Sequence, residues 1–331
     1  MEMDTFRERL GSDEKNTPRL EHLDAIGAPP FEVVLPSAVE LPPLLLKLAI
    51  PHEDIDDLVA MLPDRERSPE LWWLLERCAH SLVREMGTIG RTPTFPQLPN
   101  SMGAIHRFFP VYVFLAVLPH VRAFHRARAI PDDISWLTLA DLGRNMAVHR
   151  RRHGIGGLDV AFWIVLHFRG AIYDLGRLQF ERATLGNRTG QAITAAGLPY
   201  GPNDATLSVH VPAFSGPLSP QACDASFARA KEFFARHFPE EQYSIGVCHS
   251  WLLDDQLKEY LPADSNIIRF QNRFQLAYQP DDNDDDIVQF VFGRIKPALD
   301  ELPQRTLLER AVVDHLKAGR HWHGGAGWLR L

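Results

Sequence analysis

Apolar residues recur every three to four positions through the first ~150 residues, then alternate or run together, which predicts helices first and strands second. The clearest helix is Pro69 to Met86. Leu71, Leu74, Leu75, Cys78, Leu82 and Met86 share one face, Ser68 stands at the cap, and Pro69 and Glu70 suit the first turn. Cys78 lies in that stripe, so packing is its expected role. Weaker helical patterns cover 52–62, 101–128 and 132–152, with Pro110 and Pro119 breaking the second. The apolar run Phe108 to Leu118 is shorter than the ~18–20 residues of a membrane helix, so no membrane span is expected.

The later chain has a different pattern. VAFWIVLHF (160–168) is apolar on both faces, as a central buried strand would be. AIYDLG (171–176), RLQFERATL (177–185) and LSVHV (207–211) continue as extended segments, the last stopped by Pro212. Ser219 and Pro220 then open a helix whose stripe is Cys223, Phe227, Ala230 and Phe234. A strand at 243–251 and a short helix near 254–261 follow. Ile268, Phe270, Phe274, Leu276 and Tyr278 alternate with polar residues, predicting a half-exposed antiparallel strand. An acidic turn at 281–286 leads to a last strand, IVQFVF (287–292). The expected fold class is α+β: a helical region over 1–150 and a sheet-bearing domain over 151–331.

Composition narrows the function classes. The 331 residues suit about two domains. Hydrophobic content of 45% with 23% charged residues excludes a disordered chain. A net charge of −7 argues against a general nucleic-acid binder. Cys78, Cys223 and Cys248 are too few and too scattered for a disulfide framework or a zinc signature. With a charged first segment, MEMDTFRERLGSDEKN, they predict a reduced, cytoplasmic protein without a secretory signal.

The most informative unit is strand 207–211, loop AFSGPLS and the helix from Pro220. A glycine-containing loop feeding a helix N-terminus offers backbone N–H groups and a positive dipole to an anion. The plain alternative is a strand-to-helix connection, and Pro217 lacks an N–H. LSVHVPAFSGPL resembles the central strand and pyrophosphate loop of the GNAT acyltransferase superfamily. Val209 and Pro212 fall near that family's Val-x-Pro, and Gly216 fits its first loop glycine. Ser215 stands where Arg or Gln is common, and Leu218 where a second small residue is common.

A closer resemblance is to bacterial, mainly actinobacterial, acyltransferase-domain proteins. These join an N-acyltransferase N-terminal region to a GNAT-like C-terminal domain. It is carried by RLQFER (177–182), HVPAFSGPLSPQACDASFARAKEFF (210–234) and CHSWLLDDQLKEYLPADSNIIRFQNRF (248–274). The resemblance implies a mixed sheet with a splayed central strand pair. It implies acetyl-CoA or another acyl-CoA as substrate and an amine acceptor, a small molecule or a peptide. Residues expected near the acyl-CoA are Val209, Val211, Phe214, Ser215, Gly216, Leu218, Ser219, Cys248 and Ser250.

Acyl transfer to an amine needs a donor for the thioester carbonyl, a proton acceptor for the amine and an acid for the leaving thiolate. Backbone N–H groups at the end of 207–211 suit the first role. Glu181, His210 or a water chain suits the second. By resemblance the acid is Tyr260, although the Gly-Phe that usually follows is absent. Each has a plainer reading: Tyr260 as packing, His210 as a histidine satisfied by its surroundings, Glu181 as an ion pair with Arg182 or a neighbouring arginine. Cys248 and His249 point to opposite faces, so they form no dyad, and Cys248 has the features of a buried inert thiol. HRRRH (149–153) with the glycines after it suits a CoA phosphate or a solvated helix end. DDNDDD lacks the glycine and closing glutamate of a calcium loop, and HWH (321–323) has no third ligand, so no metal is expected. The altered loop also admits a second function: a catalytically degenerate fold that binds a ligand or partner. A cysteine hydrolase built on Cys248 is a third.

Overall fold

The computed structural model describes residues 3–90, 94–279, 283–294 and 297–331. The chain divides into two compact units, Met1–Tyr173 and Asp174–Leu331.

The first unit is helical: α1 Met3–Gly11, α2 Thr17–Ile26, α3 Leu41–Lys47, α4 Ile55–Ala60, α5 Pro69–Arg84, α6 Ile105–Ala127, α7 Asp132–Leu139, α8 Asp141–His153 and α9 Ala161–Phe168. Its core is one apolar cluster that includes Leu74, Leu75, Cys78 and Leu82 of α5 and Phe108 to Leu118 of α6. The stripe read from the sequence is thus the buried face of α5. Pro110 and Pro119 do not break α6. Each proline removes one backbone hydrogen bond, and burial on both sides keeps the helix continuous. By length and composition α6 could cross a membrane, but 72% of its apolar window is buried.

Residues 160–168 are a helix, not the expected strand. A short apolar run has no period that separates the two, and here Ile164, Val165 and Phe168 join the helical core. That packing carries the first unit to residue 173, beyond the division expected at 150.

The second unit contains β2 Gln179–Thr184, α10 Asn187–Ala195, β3 Ala205–His210, α11 Pro220–His237, β4 Ile245–Ser250, α12 Asn266–Gln271, β5 Gln275–Tyr278, α13 Asp284–Phe292, α14 Leu307–Lys317 and β6 Gly325–Arg330. β1, Ile172–Asp174, straddles the division. The sheet is mixed, in the order β1-β2-β3-β4-β6-β5.

Three expectations change here. The alternation over 268–278 spans two elements: α12, whose cap Ser265 accepts from the Ile268 N–H, and the short β5. IVQFVF is the body of α13 rather than a strand. Asp284, Asp285 and Asp286 fill its first turn, where the helix dipole favours acids, and Gly293 ends it in the left-handed region. Asp281 and Asp282 of the expected turn lie outside the described residues. The sheet also gains β6, between β4 and β5, from a segment given no strand by its pattern. Gly325 and Gly327 disguise it. A Cβ on Gly325 would lie 2.3 Å from Leu253 Cβ, and one on Gly327 2.9 Å from Phe274 Cβ.

β2 pairs with β3 over all six residues, and β4 with β6 over six. The parallel pair β3–β4 is in register only at Leu207↔Gly246 and Ser208↔Val247. Beyond those positions the pairing of the two central strands stops, short of Val209 and His210 on β3 and of Cys248, His249 and Ser250 on β4.

Candidate active site

Strand geometry brings Glu181 and His210 together. Glu181 lies opposite Ser208 across the antiparallel pair, and His210 is two residues further along β3, on the same face. His210 Nε2 is 2.9 Å from Glu181 Oε2, with the side chains 27% and 21% exposed. A carboxylate only accepts, so the Nε2–H donates to it and the imidazole lone pair falls on Nδ1. Arg182 does not compete for Glu181. It points to the other face, where its guanidinium pairs with Glu241 and covers the Phe238 ring at 4.1 Å.

Parallel register puts His249 of β4 level with His210 on the same face. Thr189 of α10 places its hydroxyl 3.4 Å from His249 Nε2, and the His249 ring lies 6.4 Å from that of Tyr278. Arg188 stacks over Tyr278 at 3.9 Å. Burial of the ring, with the charge of His210 second, holds His249 below the usual histidine range even though its edge reaches solvent. Sequence reading passed over α10 and with it Thr189 and Arg188. The signal was present: Thr189, Gly190 and Ile193 form a helical stripe, with Ile193 among Leu185, Leu198, Ile245, Val247 and Trp328.

The opposite face carries Val209 and Cys248. Phe180, paired with Val209, meets Phe227 of α11 there at 5.5 Å. Cys248 is fully enclosed, and burial pushes its thiol up to about 12, which removes it as a nucleophile at neutral pH. Ser250 instead caps the turn after β4, its Oγ accepting from Leu252 N–H at 3.1 Å.

The loop after β3 is held by Arg177. Its guanidinium donates to the carbonyl oxygens of Pro212 at 3.0 Å and Pro217 at 3.2 Å, and its backbone N–H donates to Ser226 of α11. Val211 and Ser215 are half-buried, Phe214 is exposed and Leu218 is buried, anchoring the loop. Gly216 adopts φ +77°, a conformation that suits glycine. Ser219 accepts from the Ala222 N–H and caps α11, as its sequence predicted. Arg273 bonds the Pro220 carbonyl at 3.0 Å and Asp224 at 2.6 Å. Two guanidinium groups therefore flank the positive end of an 18-residue helix beside the strand gap.

Tyr260 sits in a different setting. His315 Nε2 donates to the His321 carbonyl at 3.1 Å, so its Nδ1 accepts the Tyr260 hydroxyl proton at 2.9 Å. The Tyr260 ring packs on Trp322 within the cluster of Leu257, Leu261, Ile287 and Val312. Its plainer reading, a packing residue, describes this environment. In HRRRH, Arg150 pairs with the buried Asp54, while His149 and His153 both approach Asp159.

Residues 39–170 match an N-acyltransferase N-terminal domain and residues 172–329 a GNAT-like C-terminal domain. The chain is similar over its full length to three crystal structures, each covered completely. One is an acyltransferase in complex with decanoyl-CoA and teicoplanin, at 45% identity and a TM-score of 0.90. Another is an acyltransferase with decanoyl-CoA, at 42% and 0.91. A third is an acyltransferase mutant with octanoyl-CoA, at 44% and 0.90. No curated protein matches the chain.

Proposed function

The chain belongs to the GNAT-superfamily acyltransferases that join an N-acyltransferase N-terminal domain to a GNAT-like C-terminal domain, and from that premise we propose that it transfers a medium-length acyl group from acyl-CoA to an amine on a glycopeptide. The observation that carries this reading is the Glu181–His210 pair beside the parting of β3 and β4. Decanoyl- and octanoyl-CoA in similar acyltransferases support a longer chain than acetyl, and teicoplanin in one of them supports the acceptor class.

In this scheme the thioester lies in the gap between Val209 and Cys248. The pyrophosphate meets loop 212–219 and the α11 N-terminus, with Arg177 and Arg273 holding the loop and the first turn. The acceptor amine attacks the thioester carbonyl carbon, forming the C–N bond. His210 Nδ1 takes the amine proton while Glu181 stabilises the imidazolium through Nε2–H. The tetrahedral oxyanion is met by backbone N–H groups at the end of β3. Its collapse breaks the C–S bond, and the imidazolium returns the proton to the thiolate, giving an amide and CoA thiol. This route needs no separate acid at Tyr260. The intact pair also weighs against a degenerate binding protein.

The test is incubation of the full chain with decanoyl-CoA and a glycopeptide lacking its acyl chain. Expected are stoichiometric release of CoA thiol and a decanoyl mass increase on the glycopeptide. Absence of transfer from every acyl-CoA between acetyl and dodecanoyl would reject the proposal.

A further inference from the structure

We propose that His149, His153 and Asp159 form a binding site for a zinc-type divalent cation in the first unit, independent of the acyl-transfer site.

The two histidines are one helical turn apart on α8, so they share a face. Gly154 ends α8 in the left-handed region and turns the chain so that Asp159 comes back over that face. One donor atom from each residue lies within 4.8 Å of the other two, which among the described residues makes this a compact set of two imidazoles and a carboxylate. His149 Nε2 is 3.2 Å from Asp159 Oδ1, and His153 Nε2 is 2.7 Å from Oδ2.

The hydrogen bonding of His149 points to a cation. Its Nδ1 lies 3.0 Å from the Ile155 carbonyl oxygen, which only accepts, so Nδ1 carries the hydrogen. In the neutral ring Nε2 then presents its lone pair to a carboxylate oxygen, and two acceptors face each other. A proton on Nε2 resolves the conflict, and a metal ion in the same place would do so while also engaging His153. A backbone carbonyl fixing one ring nitrogen so that the other can coordinate is the usual outer-shell arrangement of metal-bound histidine. His149 is 5% exposed and so is held in place.

The Gly157 backbone packs against the His149 ring: a Cβ there would stand 2.9 Å from Nε2, 2.7 Å from Cε1 and 2.8 Å from Arg107 Cβ, so only glycine allows this close approach. Its φ of +153° also disfavours a side chain. Zinc–ligand bonds of ~2.0–2.2 Å in a tetrahedron separate donors by about 3.3 Å, so with donors up to 4.8 Å apart His153 and Asp159 need shift by at most about 1.5 Å. Both are at least one-third exposed and can make that adjustment, and solvent supplies the fourth ligand. The mixed nitrogen and oxygen set suits zinc and its neighbours rather than calcium or magnesium. The charge closest to competing for the carboxylate is Arg152, 3.8 Å from Asp159 Oδ2.

The full chain, stripped with chelator, should take up one equivalent of Zn²⁺ in a calorimetric titration, and its Tm should rise by several degrees. His153→Gln and Asp159→Asn, both at partly exposed positions, should each weaken binding at least tenfold and abolish the Tm rise while keeping the metal-free Tm close to that of the parent. His321→Gln, remote in sequence, should bind like the parent. No uptake at 0.1 mM free Zn²⁺ (about the level of a casual surface site), or uptake unchanged in both ligand variants, would overturn the proposal.

Discussion

Glu181→Gln is the sharpest perturbation of the proposed chemistry. The amide keeps the shape of the carboxylate and can still accept from His210 Nε2–H, but it cannot neutralise an imidazolium. Opposite charges about 4 Å apart interact by about 4 kcal/mol at an effective dielectric constant of ~20. The two side chains are 27% and 21% exposed, so solvent screening leaves about 1–2 kcal/mol. At 1.36 kcal/mol per factor of ten, kcat/KM should fall ~5- to 30-fold. His210→Ala removes the base itself and should cost ~10²- to 10⁴-fold. Because the two residues act as a unit, the double variant should be no slower than His210→Ala. The assay is continuous CoA-thiol release with decanoyl-CoA under kcat/KM conditions, with circular dichroism to confirm folding. A Glu181→Gln enzyme at the parental rate, or fully additive losses in the double variant, would refute the coupling.

Other consequences follow from named groups. Burial, with Arg122 second, pulls His125 down to about 3. The unfolded chain binds that proton near pH 6.5, before the folded one does. Stability is therefore full above about pH 6.5 and falls by up to ~1.4 kcal/mol per unit toward about pH 3. His125→Phe should flatten the pH 7-to-5 drop in urea midpoint, and an unchanged drop would contradict this. Arg177→Ala releases the Pro212 and Pro217 carbonyls, and KM for acyl-CoA should rise about tenfold with kcat nearly unchanged. A normal KM would detach that loop from CoA binding. Cys248, pushed up to about 12, carries about one thiolate in ten thousand at pH 8. Iodoacetamide should label it only after denaturation, and rapid labelling of the native protein would show a reactive thiolate there and contradict the effect of burial.

What the sequence revealed depended on whether the signal was local. Ser219 and Pro220 marked the start of α11, and the LSVHV and RLQFER strands were visible from alternation and β-branched residues. Once those strands were paired, the diagonal contact of Glu181 with His210 followed from period two. The same local logic failed where two structures share one pattern. VAFWIVLHF is apolar on every side, so only tertiary packing decides between helix and strand. The acids before IVQFVF fit a turn or a helix start equally well, and the dipole of α13 settled it. β6 was hidden because its glycines exist to admit Leu253 and Phe274, neighbours that no local pattern shows. His149 and His153 were visible as a helical pair, but their third partner, Asp159, depends on the turn at Gly154.

The central claim is that acyl-CoA lies where β3 and β4 part, with its thioester beside His210. A crystal structure of the full chain with a decanoyl-CoA analogue carrying a non-transferable thioether tests it most directly. The account predicts the sulfur between Val209 and Cys248, the pyrophosphate against loop 212–219, and His210 Nδ1 within direct or one-water reach of the site of attack. An acyl-pantetheine arm lying elsewhere, with His210 beyond one-water reach of its sulfur, would contradict it.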